Sequence, residues 1–115
     1  SKDNIYTPIN HDEIETYIRK SGGRIIQRKG ATFYAIALST CHICKCIISG
    51  MDTTLTVSSM MHGEYGIDDI CLSTLNIVGR DGLRGKILTP LTDEEVALLH
   101  KSADSLRAVI ENVNI

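Results

Sequence analysis

Apolar and small side chains recur at Ile14, Ile18, Ser21, Gly22 and Ile25, the spacing of one helix face. Asn10 stands before this run as a cap, and Glu13 follows three residues later, a variant of the capping box. Gly22–Gly23 falls inside the run, where each glycine costs about 1 kcal/mol relative to alanine. Such a pair predicts the close approach of another helix. Gly30 punctuates, and a second helix is predicted from about Thr32 to Ser49, with Gly50 as its C′ residue. This helix is apolar nearly all round (Phe33, Tyr34, Ile36, Leu38, Ile43, Ile47 and Ile48 among others), which marks a segment buried in a larger protein or in an interface.

From Met51 the period shortens to two. Residues 53–61, TTLTVSSMM, alternate at Leu55, Val57, Ser59 and Met61 as a strand does, and 63–69, GEYGIDD, is a turn region with two glycines. A second strand is predicted over 70–79, a tight Asp-Gly hairpin at GRDG, and a third strand over 85–90. The last segment opens with Thr92 and Glu95 as a capping box and acidic residues in its first turn. Val96, Leu99, Ala103, Leu106 and Ile110 form its apolar stripe. The expectation is an α+β fold of one domain, residues 1–115: two consecutive N-terminal helices, an antiparallel three-stranded meander and a long C-terminal helix.

Composition narrows the partners. The 115 residues are 43% hydrophobic and 23% charged, with a net charge of −2 and no Lys/Arg-rich run, so neither nucleic acid nor an anionic membrane is expected. No apolar segment approaches the roughly 20 residues that span a bilayer, and no signal peptide is read at the start. The opening SKDNIYTPIN reads as a polar tail or as the end of something longer. The four cysteines read as reduced thiols of a cytoplasmic protein, since three crowd into CHICKC within a helical pattern.

Candidate chemistry is sparse. Cys41, His42 and Cys44 are zinc-ligand types, but a structural zinc site needs four ligands and no second C-x-x-C exists, so no metal is expected and Cys41 and Cys44 read as small core residues. Cys46 and His42 lie at i, i+4, yet neither a positioned base nor a strong local charge beyond Lys45 activates the thiol. Asp68–Asp69 belongs to a polar turn, and Asp93–Glu94–Glu95 is explained by the helix N-terminus. No glycine-rich nucleotide loop follows a strand. The residues contain no complete active site.

RKGATFYAIALS, VSSMMHGEYGIDDICLS, IVGRDGLRGKI and LTDEEVALLHKSADSLRAVI, in this order, resemble the carboxy-terminal part of NAD-dependent L-lactate and L-2-hydroxyacid dehydrogenases, over about Asp12 to Asn112. The resemblance implies an enzyme of two parts. An amino-terminal Rossmann domain holds NAD, and the carboxy-terminal substrate domain closes one side of the site. It implies hydride transfer between a small 2-hydroxy acid and the nicotinamide, with a His–Asp pair moving the proton and arginines binding the carboxylate. Those groups, and the glycine-rich NAD loop, are expected upstream of residue 1, so the catalytic list for this chain is empty and the chain is expected to be inactive alone. His62–Gly63–Glu64 aligns with a different, downstream segment of the family and is not assigned to catalysis.

By the same resemblance Thr32 matches the threonine that lines the substrate pocket near the C2 substituent, and Ala31 and Ala35 are neighbouring wall positions. Ile36 matches the apolar residue that packs against the nicotinamide, excluding water. Ala31 is smaller than the tyrosine of vertebrate lactate dehydrogenases, and Gly22–Gly23 replaces a bulkier pair, which together predict room for a 2-oxo acid larger than pyruvate. The family implies a homo-oligomer, a tetramer, acting in glycolysis in the cytoplasm. The Thr32 neighbourhood resembles the lactate branch rather than malate dehydrogenase. The rival reading is a stand-alone α+β interaction or oligomerisation module that shares ancestry without chemistry. A preceding coding sequence with a Rossmann fingerprint and an HGDS-like motif separates the two.

Overall fold

Residues 8–113 are described by a computed structural model, so the first seven residues of the tail read over 1–10 lie outside the described ones. The elements run α1 (His11–Lys29), α2 (Phe33–Ser49), β1 (Thr53–His62), β2 (Asp68–Gly79), β3 (Gly82–Lys86) and α3 (Asp93–Glu111). The α+β class and the element order are those predicted. The chain falls into two compact units that part within α2, Ser1–His42 and Ile43–Ile115. Among the described residues no single helix is long and apolar enough to cross a membrane.

In the first unit, α1 starts where expected, because the Asn10 side chain accepts from the Glu13 amide at 3.2 Å. It ends at Gly30, whose φ of 79° is the left-handed C-cap conformation that glycine adopts without Cβ strain. No residue of α1 is buried. The helix contact predicted at Gly22–Gly23 is not present among the described residues, where a Cβ at either position meets nothing within 4 Å. The amphipathic period had fixed the helix, but the glycines alone could not say what approaches them. The start of α2 is uncovered too: Phe33, Ile36 and Leu38 are 59, 63 and 74% exposed. An apolar surface of this kind favours association. The chain on its own is therefore expected to sediment as more than a monomer and to enhance the fluorescence of a hydrophobic dye. A compact monomer that leaves the dye dark is the contrary result.

In the second unit β1, β2 and β3 form an antiparallel meander in the order β1-β2-β3. Leu55, Val57 and Ser59 of β1 pair with Asn76, Thr74 and Leu72 of β2, so their side chains share one face of the sheet. The turn at Arg80–Asp81 joins Gly79 to Gly82 directly, and β3 pairs from Gly82 onward. The third strand predicted over 85–90 is thus displaced toward the turn. A two-residue turn starts the ladder at once, and its last rung is the Ile87 amide donating to Leu75 O at 2.9 Å. α3 lays Ala103, 2% exposed, against Met61, Ile67, Ile70 and Leu72. Of its predicted stripe Val96, Leu99 and Ala103 face inward, whereas Leu106 and Ile110 are exposed, at 38 and 56%. Arg107 bonds the Asp68 carbonyl instead.

Asn76 is fully buried in the middle of the sheet. Its amide nitrogen donates to Val57 O at 3.0 Å, Thr74 O at 2.7 Å and Thr74 Oγ1 at 3.3 Å, and its oxygen accepts from Ser59 Oγ at 3.2 Å. Every polar atom of the side chain is therefore satisfied, which is what makes an asparagine tolerable there. At the hairpin end, Gly50 (φ 70°) closes α2 with the Arg80 guanidinium packed over it, so that an added Cβ would lie 2.8 Å from Arg80 Nη2. Asp52, paired with Arg84 at 3.6 Å, packs over Gly79 in the same way.

Candidate functional site

The residues singled out by sequence, Ala31, Thr32, Ala35 and Ile36, come together at the junction of α1 and α2, within the first unit. Arg28 and Lys29 fill the last turn of α1, where positive charge suits the helix dipole, and the Gly30 amide closes the turn on Ile26 O at 2.7 Å. The chain reverses over Ala31 and Thr32, both half-buried, and enters α2 at Phe33. Thr32 stands immediately before that first turn. Ile36 follows four residues on, one helical turn above it, with its side chain 63% exposed. Aromatic rings flank the turn: Phe33 and Tyr34 have centroids 4.6 Å apart, and Lys29 Nζ lies 5.8 Å from the Tyr34 ring centre.

This surface is a wall in chemical terms. A threonine hydroxyl can donate and accept hydrogen bonds, and alanine methyls and an isoleucine side chain can shape and dry a cavity. None of these groups carries a proton on or off at neutral pH, so they can bind and orient but not perform acid–base chemistry.

Titratable groups gather in the second unit around the turn between β1 and β2. Glu64 accepts from the His62 amide at 2.6 Å and pairs with Lys86 Nζ at 3.3 Å, their side chains being 20 and 10% exposed. Lys86 also donates to Met60 O and reaches Met61 Sδ at 3.8 Å. The His62 amide, then Glu64's own amide and then Lys86 hold the Glu64 carboxyl below its ordinary range, outweighing burial. A depressed carboxylate contributes stability above its unfolded pKa and loses it as pH falls through the folded one. Glu64→Gln should therefore lower the urea midpoint at pH 7, and its deficit against the parent should shrink below about pH 4.5. A deficit constant from pH 7 to pH 3 would contradict this.

The same turn holds Tyr65 at a φ of 54°, uncommon for a non-glycine residue. Its hydroxyl donates to Thr89 O at 2.6 Å, and its carbonyl accepts from His100 Nε2 at 2.7 Å, so both ends are tied down. Sequence reasoning missed this network; the one signal was the glycine on either side of Glu64–Tyr65. The groups brace the β1–β2 turn and lie in the other unit from Thr32. His62 is exposed. Cys41 and Cys44, expected in the core, are exposed, and the buried thiol of the CHICKC run is Cys46 at 8%. Helical phase decides this, for Cys46 is two residues beyond Cys44 and turns to the opposite side. Among the described residues, no group of three or more His, Cys, Asp or Glu is placed to hold a metal ion.

The family model of the lactate/malate dehydrogenase alpha/beta C-terminal domain matches residues 4–114. An L-lactate dehydrogenase of Acetivibrio thermocellus is 38% identical over 107 residues, which are 93% of this chain and 34% of that protein. In three dimensions the minor L-lactate dehydrogenase of Enterococcus mundtii, in a ligand-bound form, superposes with a TM-score of 0.83 at 33% identity, over 93% of this chain and 35% of that one. Malate dehydrogenase of Archaeoglobus fulgidus, in complex with NADH, superposes with a TM-score of 0.82 at 26% identity, over 92% and 36%. The chain thus spans about a third of the length of the relatives it matches. With the family model matched along almost the whole sequence and the fold shared with dehydrogenases of both branches, the chain belongs to the lactate/malate dehydrogenase family, as its alpha/beta C-terminal domain.

Proposed function

We propose that this chain is the substrate-side domain of an NAD-dependent L-lactate or L-2-hydroxyacid dehydrogenase that interconverts (S)-lactate and pyruvate by hydride transfer. The single observation that carries the reading is the match to L-lactate dehydrogenases over nearly the whole chain, along which Thr32 and Ile36 stand one helical turn apart. In this reading Thr32, with Ala31 and Ala35 beside it, meets the C2 substituent of the acid, and Ile36 packs against the nicotinamide. The exposed, apolar Ile36 fits an uncharged planar ring, and it offers no polar atom that would compete with it. NAD, when bound, supplies the two-electron acceptor. The chain's own residues bind, orient and exclude water, while the His–Asp pair, the arginines and the Rossmann loop belong to the N-terminal domain of the same enzyme. The partners are then that domain, a small 2-oxo or 2-hydroxy acid, and further copies of the enzyme in a homo-oligomer. Its cysteine pattern supports a cytoplasmic enzyme.

Small side chains at Ala31, Gly22 and Gly23 point to a pocket that accepts a 2-oxo acid larger than pyruvate. Reduction of pyruvate and of 2-oxoisocaproate by the full-length enzyme with NADH tests both levels. The expected result is turnover of both acids by the enzyme and of neither by the isolated chain. Strong preference for pyruvate removes the wide pocket, and failure with every 2-oxo acid removes the dehydrogenase reading.

A further inference from the structure

We draw no further inference here: the strongest candidate, the uncovered apolar face formed by α1 and the first turns of α2, is an unpartnered surface, and nothing in the structure shows what covers it.

Discussion

Asn76→Leu is expected to remove about 3–5 kcal/mol of folding stability, although leucine has the same branched side-chain skeleton as asparagine. The side chain is fully buried, and its amide serves two backbone carbonyls, one hydroxyl donor and one hydroxyl acceptor. Leucine would leave Val57 O and Thr74 O without these partners on a half-buried part of the sheet, and each orphaned group costs roughly 1–3 kcal/mol. Against the 5–15 kcal/mol typical of a whole domain, such a loss is a large share, and at the lower end of that range it would bring the variant near its unfolding midpoint. Ser59→Ala is the internal control. It deletes a single bond to Asn76 Oδ1 and should cost about 1 kcal/mol. Urea unfolding of both variants decides the matter: equal losses would mean that the Asn76 network is not what holds the two strands together.

The largest effect on activity should come from Thr32→Val in the full-length enzyme. Valine keeps the shape and removes the hydroxyl, so a substrate group oriented by that hydroxyl loses its partner. One buried hydrogen bond of this kind corresponds to roughly a 10- to 100-fold fall in kcat/KM for pyruvate. Thr32 is half-buried at the entrance to α2, and β-branched valine suits the same backbone, so the melting temperature should hardly move. Parallel assays of Ile36→Asn separate the two proposed roles, because that change should raise KM for NADH while leaving the 2-oxo acid dependence close to the parent's. If Thr32→Val keeps full kcat/KM, the hydroxyl does not face the substrate.

How much of this was legible in the sequence depends on the range of the interaction that decides it. Local chemistry was readable: the Asn10 cap, the Thr92–Glu95 capping box and the two-residue turn at Arg80–Asp81 each involve residues close in the chain. The alternation Leu55, Val57, Ser59, Met61 likewise gave the inward face of β1. What failed required knowing which neighbours a side chain meets. The helix around CHICKC is apolar nearly all round, so its pattern could not choose Cys46 over Cys41 and Cys44. The α3 stripe continues in sequence through Ile110, but the core it packs against stops near Ala103. The candidate wall was reached by family resemblance alone. Composition sees Thr32 only as one more residue beside a helix.

The hairpin end of the sheet has a consequence for how the sequence can drift. Gly50 and Gly79 lie under the side chains of Arg80 and Asp52, each glycine contributed by one segment and overlain by a side chain from another. At Gly50 the left-handed backbone strains any side chain, whereas the exposed, flexible Arg80 guanidinium can swing aside. The order in which positions 50 and 80 change therefore matters little. Loss of Arg80 only opens space that the guanidinium would have yielded anyway, and the φ of 70° must still be met by residue 50. Among descendants of this sequence, position 50 should therefore keep glycine, with asparagine the next most tolerated, whatever residue stands at 80.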